Sequence, residues 1–180
     1  MRTVVYEEHV KILNELLSTA RTRSVEAGAE TGPFQDIRSA YVFAASLGLA
    51  LGEPTPKSEM PENKKQGREI ADHTFFGTRG AKEVSLVAAL VVDLDIDDVK
   101  SELRRRLELI GDGGLGDRLA ILDRYAHAGF KWLDSHRDDE DSVRSLIFRA
   151  ISEIQPALWS RPEFAGLEDP FLRLIGGAES

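Results

Sequence analysis

The chain has 180 residues, 42% of them hydrophobic, and a formal net charge of −8. That length and apolar share are typical of one folded domain with a buried core, and they argue against a disordered chain. Because there is no cysteine, disulfides, thiolate metal sites and a cysteine nucleophile are excluded. The N-terminus lacks an apolar signal core and no apolar run is long enough to span a bilayer, so we expect a cytoplasmic protein without a membrane segment.

Apolar residues recur at helical spacing along most of the chain, which predicts an all-α fold. We expect a compact single domain, residues 1–180, built as a bundle of about six to seven helices. The predicted helices span about residues 7–23, 37–51, 81–94, 98–110, 117–133, 142–154 and 164–175. For 81–94 periodicity alone leaves a strand as the alternative, and the alanines and the length favour a helix.

The helix at 37–51 is apolar on nearly all sides, so we predict that it is the most buried element. Asp36 is placed to cap its first turn, and Gly52 to end it. Its small residues would let neighbouring backbones come close.

The connections also carry predictions. Residues 53–67 contain three prolines among polar residues, which is typical of a flexible surface loop. Residues 72–80 are aromatic and bounded by glycine, which fits a short extended segment or a tight turn. Pro156 is expected to end the helix at 142–154.

The helix at 98–110 carries an apolar stripe, which we expect to face the core. The stripe consists of Val99, Leu103, Leu107 and Ile110. Asp97 or Asp98 is expected to cap this helix.

The acidic run D-L-D-I-D-D supplies weak candidates for a metal site at Asp93, Asp95 and Asp97. Clustered carboxylates can hold magnesium or calcium. The run lacks the glycine and glutamate of a calcium loop, and its apolar residues fit a chain that leaves the core and starts a helix. We therefore expect capping and a solvated turn, and no metal or cofactor.

Basic residues on a loop and two helix segments are candidates for contacts with DNA phosphates. Arg79 lies in G-T-R-G just before a predicted helix, where backbone N–H groups and a positive side chain could hold a phosphate. The alternatives are a plain solvated loop and a helix face neutralised by Glu102 and Glu108. The candidate DNA-binding residues are Lys64, Lys65, Arg68, Arg79, Lys82, Arg104 and Arg105.

Other patterns are interpreted structurally. The four histidines form no metal-binding spacing, and Asp123 and His127, four residues apart on one helix, fit a structural pair. G-D-G-G-L-G at 111–116 joins two predicted helices rather than following a strand, so it indicates a helix break and not a dinucleotide loop. No catalytic constellation is visible.

Three segments together resemble the small associated proteins encoded beside bacterial DNA phosphorothioation (Dnd) genes. F-x-x-I-R-S-A-Y-V-F-A-A-S-L-G at 34–48 resembles an apolar helix of that family, and E-P-T-P-K-S at 53–58 resembles the polar link after it. G-D-G-G-L at 111–115 is similar to the family's A-N-G-G-L, with Gly111 and Asp112 in place of Ala-Asn. The resemblance covers roughly residues 5–135 and leaves 136–180 outside it.

The resemblance implies an accessory role in DNA sulfur modification and anti-phage defence, with DNA or another protein of the system as partner. It supplies no catalytic residues. One alternative is a DNA nickase subunit that opens a strand for sulfur insertion, and a second is a protein-protein interaction module. The sequence leaves the oligomeric state open.

Overall fold

The computed structural model describes residues 2–18, 32–62 and 67–159, the last seven by their backbone alone. The predicted all-α fold is confirmed: seven α-helices and one two-stranded sheet form the described part. The helices are α1 (Val10–Leu16), α2 (Ile37–Leu51), α3 (Asp72–Phe75), α4 (Ala81–Val91), α5 (Val99–Ile110), α6 (Leu115–Ser135) and α7 (Val143–Trp159). The strands are β1 (Arg2–Val5) and β2 (Arg68–Ala71).

Helix α2 begins and ends where the sequence predicts. The Asp36 carboxylate accepts a hydrogen bond from the backbone N–H of Ser39 at 2.8 Å, which caps the first turn. Gly52 follows the last turn in the left-handed conformation, with φ 87°, which glycine adopts without strain.

Helices α2 and α6 form the centre of the core, and two glycines allow their backbones to touch. A Cβ atom on Gly48 would lie 2.0 Å from the carbonyl oxygen of Tyr125, and one on Gly129 would lie 1.9 Å from that of Ala44. The expected close approach of small residues is therefore confirmed. Helix α6 buries eleven residues against six in α2, so the prediction that α2 is the most buried element was wrong. The longer α6 also contacts β1, α1, α4 and α5, which explains its greater burial.

The first helix is shorter than predicted. A 3₁₀ turn at Glu7–His9 leads into α1, which ends at Leu16, whereas the periodicity predicted a helix to residue 23. Leu17 is extended and forms a bridge with Phe34, with hydrogen bonds from Phe34 N to Leu16 O and from Ser18 N to Phe34 O. This long-range pairing takes the place of a further turn of helix. It cannot be predicted from local periodicity.

The short extended segment that was expected at residues 72–80 lies just before them, at β2. Residues 72–80 instead form α3 and turns. β2 pairs antiparallel with β1, with Thr3 opposite Ile70. The sequence pattern does not indicate β1, because four residues are too few for a reliable period-two pattern.

The end of α7 differs from the prediction, and part of the loop after α2 is fixed to the core. Helix α7 continues through Pro156 to Trp159, so the prediction that Pro156 ends the helix was wrong; an interior proline can kink a helix without ending it. The expected flexible loop at 53–67 is anchored at Thr55, which is buried and donates its N–H to the carbonyl of Arg124.

The helix predicted at 164–175 lies outside the described residues. No helix in the described part of the chain is both long and apolar enough to cross a membrane.

Candidate functional site

The apolar stripe of α5 points away from the core. Val99 is 75% exposed, Leu103 59% and Leu107 57%, while Leu109 is the one buried residue of this helix. The prediction that this stripe faces the core was therefore wrong. The helix is amphipathic as predicted, but the described part of the chain leaves its apolar side uncovered.

Two arginines explain this orientation of α5. Arg106 donates hydrogen bonds to the carbonyl oxygens of Leu90 at 2.6 Å and Val92 at 3.1 Å, at the end of α4, and pairs with Glu102 at 2.6 Å. Arg118 donates to the last carbonyls of α5, those of Leu109 and Ile110. These charged hydrogen bonds satisfy helix-end carbonyls. Together with the burial of Leu109, they fix α5 in an orientation in which the stripe faces solvent.

Helix α4, which contacts α5, also exposes apolar side chains. It packs inward through alanines and Ser85, and its larger side chains Val87, Leu90 and Val91 are 46–54% exposed. We call the surface formed by these two contacting helices the α4–α5 face. Its members are Val87, Leu90, Val91, Val99, Leu103, Leu107 and Ile110.

One flank of the α5 stripe is basic. Lys100 and Arg104 each follow a stripe residue by one position, so they lie beside it, and both are exposed. Neither side chain forms an ion pair with a described residue. Arg105, in contrast, bonds Asp117 at 2.6 Å and Glu108 at 3.2 Å, and these hydrogen bonds raise its pKa. The predicted neutralisation of this helix face is therefore seen at Arg105. Glu108 is one of the two carboxylates that pair with Arg105.

The predicted DNA-binding residues lie on several different elements. Arg68 is on β2 and donates to Asn14 at 3.4 Å, Arg79 is in the turn before α4, and Lys82 is in the first turn of α4. Arg104 and Arg105 are on α5. Lys64 and Lys65 lie outside the described residues. Arg79 and Lys82 are exposed and make no ion pair with a described residue.

The acidic run forms a turn and a helix cap. The Asp93 carboxylate accepts the N–H of Asp95 at 2.9 Å, and Asp95 has φ 54°, a left-handed conformation that aspartate tolerates. Asp98 caps α5 by accepting the N–H of Ser101 at 2.8 Å, as one of the two predicted alternatives. Asp97 is exposed.

A cluster that the sequence analysis missed joins the 3₁₀ turn to α6. The His127 Nε2 atom lies 2.6 Å from Glu8 Oε1, and the His9 Nε2 atom lies 3.6 Å from the same oxygen. One ligand atom from each of Glu8, His9 and His127 lies within 4.8 Å of the others. His9 and His127 are buried, whereas the Glu8 side chain is 55% exposed. We call these three residues the Glu–His–His cluster.

Apolar rings enclose the histidines of this cluster. His9 stacks on Phe130 with ring centroids 5.5 Å apart, and Tyr6 meets His127 edge-on at 5.5 Å. Burial, with a smaller effect of His127, lowers the pKa of His9 to about 4, so its ring is neutral at pH 7. Burial and the nearby Asp123 raise the pKa of Tyr6 to about 12.

The predicted Asp123–His127 pair is replaced by other partners. Asp123 accepts hydrogen bonds from the N–H of Val4 at 3.1 Å and the hydroxyl of Tyr41 at 2.7 Å. His127 Nδ1 is hydrogen-bonded to Thr55 Oγ1 at 3.0 Å. Both residues are structural in the described fold, but they join different segments to α6.

An open cleft of about 870 Å³ lies beside α6. The loop after α2, the acidic turn and α6 line it, and its charged walls include Asp93, Asp95, Arg105 and Arg124. Both carboxylates and cations line it, so it has no single-sign surface suited to a phosphate chain.

No signal in the sequence pointed to the Glu–His–His cluster. Glu8 and His9 are adjacent, but His127 lies 119 and 118 residues from them along the chain. The apolar stripe of α5 was visible, but its exposure was not. Comparisons with known protein families, curated proteins and solved structures find nothing that matches this chain.

Proposed function

We propose that the protein is an interaction module that binds a partner protein through the α4–α5 face. The partner presents an amphipathic helix with an apolar stripe and an acidic flank. The observation that carries the proposal is the exposure of the α5 stripe, which the fold holds outward by the two arginines described above.

Burial of this stripe would stabilise a complex. Full burial of a leucine or valine side chain contributes about 1.5–3 kcal/mol. Leu103 and Leu107 each keep more than half of their surface exposed, so much of that contribution is still available. Contiguous exposed apolar surface rimmed by charge is typical of a protein interface. An isolated exposed leucine would carry no such meaning, but four α5 residues at helical spacing form a continuous row.

The basic flank selects the partner's charge. Lys100 and Arg104 lie beside the stripe without a carboxylate partner among the described residues, so a helix with glutamates along its facing edge would pair with them. A second copy fits poorly. Antiparallel pairing of two α5 helices would bring two Lys100 and two Arg104 side chains to one edge, and Glu108 is already bonded to Arg105.

The resemblance to phosphorothioation-associated proteins supports a partner from such a system. In that context the module would join the modification or defence machinery to another subunit. The absence of a catalytic constellation in the sequence is compatible with this role.

The proposal is tested with synthetic helices as probes. Two fluorescent peptides share one leucine stripe, and one carries glutamates and the other lysines along the flank. We expect the acidic-flank peptide to bind at least about tenfold more tightly at low salt, with the preference falling at high salt. The Leu103→Gln/Leu107→Gln variant should lose binding of both peptides, as measured by fluorescence anisotropy.

The matched control is Phe148→Gln, which removes an exposed aromatic ring from α7 and leaves the α4–α5 face intact. Because all three substituted side chains are mostly exposed, the melting temperatures of the variants should stay near that of the wild type. Equal binding by wild type and the Leu103→Gln/Leu107→Gln variant contradicts the proposal. A concentration-dependent dimer that the same variant abolishes would assign the face to a second copy.

DNA binding is a second candidate, favoured by the exposed Arg79 and Lys82 at the start of α4. A gel shift with intact, nicked and phosphorothioated duplexes at two salt concentrations tests it. Arg79→Ala/Lys82→Ala should weaken binding for all sequences and flatten the log–log salt slope by about 2, since each phosphate contact contributes about 0.9. If the wild-type protein shifts no duplex at low salt, DNA is not a direct partner.

A further inference from the structure

We propose that the Glu–His–His cluster is a binding site for a divalent transition metal of the zinc class. The site is independent of the α4–α5 face and goes beyond the proposed interaction function. Its ligands would be a carboxylate oxygen of Glu8 and the Nε2 atoms of His9 and His127.

The spacing of the donor atoms fits such an ion. Tetrahedral coordination with bonds of 2.0–2.1 Å places ligand atoms about 3.3 Å apart. The Glu8 oxygen lies 2.6 Å from the His127 nitrogen and 3.6 Å from the His9 nitrogen, which bracket that value, and all three ligand atoms lie within 4.8 Å of one another. Because the Glu8 side chain is 55% exposed, it can make that adjustment without repacking the core.

His9 supplies an independent observation. Its side chain is only 4% exposed, and neither ring nitrogen has a hydrogen-bond partner among the described residues. A buried polar group without a partner is costly, so such a group needs an explanation. A metal ion bound by Nε2 would satisfy the nitrogen that faces Glu8 and His127. Two adjacent residues of the 3₁₀ turn, Glu8 and His9, would then both be ligands.

Thr55 holds His127 in the orientation that a metal requires. Its hydroxyl is 3.0 Å from His127 Nδ1, which directs Nε2 toward Glu8. In the structure Nε2 is hydrogen-bonded to the Glu8 carboxylate, and a bound ion would replace that hydrogen bond. A hydroxyl can donate or accept, so Thr55 also suits the tautomer with the proton on Nδ1, which frees Nε2 for a metal. Thr55 is itself fixed, because its carbonyl accepts a 2.7 Å hydrogen bond from Arg124 Nε. This is the outer-shell support that metal-bound histidines usually have.

The donor set selects the class of ion. Two imidazoles and one carboxylate suit zinc and its neighbours, whereas calcium and magnesium prefer all-oxygen sites. Three protein ligands leave a fourth position for water or an added ligand. Glu8 lies at the exposed edge of the cluster, so that position is expected to be reachable from solvent.

The test is zinc binding by the full chain after treatment with a chelator. Isothermal titration with Zn²⁺ alone should show one ion per chain, and the melting temperature should rise when zinc is added. Glu8→Gln should weaken zinc affinity at least about tenfold, and Thr55→Val, which leaves all three ligands in place, should weaken it about tenfold. His73→Gln is the matched control, because this exposed histidine lies outside the cluster, and it should bind zinc as the wild type does.

His127→Gln should also lose zinc binding, but the substitution is buried and the variant must first be shown to fold. Glu8→Gln keeps the test decisive, because the Glu8 side chain is mostly exposed. Absence of stoichiometric zinc uptake by the wild type overturns the proposal. So does uptake that is the same in wild type and Glu8→Gln.

Discussion

At the residue scale, one carboxylate ties the N-terminal strand to the core. Asp123 on α6 accepts hydrogen bonds from the backbone of Val4 in β1 and from the hydroxyl of Tyr41 on α2. Tyr41 and Asp123 are both almost fully buried. A buried polar group of this kind stabilises the fold only while its partners remain.

The variant Tyr41→Phe tests this network. It removes the hydroxyl but keeps the ring that packs edge-on against Phe75. We expect the free energy of unfolding to fall by about 1–3 kcal/mol, because Asp123 keeps its burial and loses a hydrogen bond. Urea denaturation measures the change, and a loss below about 0.5 kcal/mol would show that the hydroxyl contributes little.

The same tyrosine predicts a loss of stability at alkaline pH. Burial, with the neighbouring Asp123, raises the pKa of Tyr41 well above 10 in the folded protein. Below pH 10 the phenol is protonated in both states, so its contribution is constant. Above pH 10 the unfolded chain loses the proton and the folded chain keeps it, so the free energy of unfolding falls by up to about 1.4 kcal/mol per pH unit from this group. Urea titrations at pH 9 and pH 11 should show a shallower fall in Tyr41→Phe, whereas equal falls would contradict the assignment.

Single residues also mark what the sequence does not reveal. The caps Asp36 and Asp98 were predictable, because a cap acts on a backbone N–H three residues away. The partners of Asp123 and His127 were not predictable, because Val4, Tyr41, Thr55 and Glu8 lie 72 to 119 residues away along the chain. The helical spacing of Asp123 and His127 favoured a pair that the tertiary contacts replaced.

At the element scale, the contact between α2 and α6 depends on the absence of side chains. Gly48 and Gly129 each face a backbone carbonyl of the other helix. Glycine inside a helix is less favourable than alanine by about 1 kcal/mol when the position is exposed. At these two positions the close approach of the helices outweighs that preference.

Alanine substitutions test this contact. Gly48→Ala and Gly129→Ala should each destabilise the fold by about 1–3 kcal/mol or more, because the added Cβ atom would overlap backbone that cannot move alone. Gly113→Ala is the control, since a Cβ there meets nothing within 4 Å, and its stability should change little. Thermal denaturation compares the three, and a stabilised Gly129→Ala variant would contradict the close packing.

The type of an element was easier to predict than which of its faces is buried. The helices α2, α4, α5 and α6 were all predicted as helices, although for α4 the alanines and the length decided, since periodicity left a strand open. Periodicity shows that one side of α5 is apolar, but it cannot show whether the rest of the molecule covers that side. Arg106 and Arg118 decide this by bonding to carbonyl groups at helix ends, and such contacts leave no spacing pattern in the sequence.

At the scale of the whole molecule, the charge distribution separates the competing functions. The net charge of −8 opposes broad nucleic-acid binding, so any contact with DNA must be local. The basic candidates lie on β2, the turn before α4, α4 and α5, and Arg105 is neutralised by Asp117 and Glu108. Lys100 and Arg104 instead border an exposed apolar row, a combination that suits a protein partner.

The most direct test of this account reverses the charge of that border. Lys100→Glu/Arg104→Glu should switch the preference of the α4–α5 face, so that the lysine-flanked peptide binds at least about tenfold more tightly than the glutamate-flanked one. Both side chains are exposed, so the fold should persist, and circular dichroism checks it. The central claim is that this face binds a partner helix with an acidic flank. A variant that folds and keeps the wild-type preference for the glutamate-flanked peptide would contradict it.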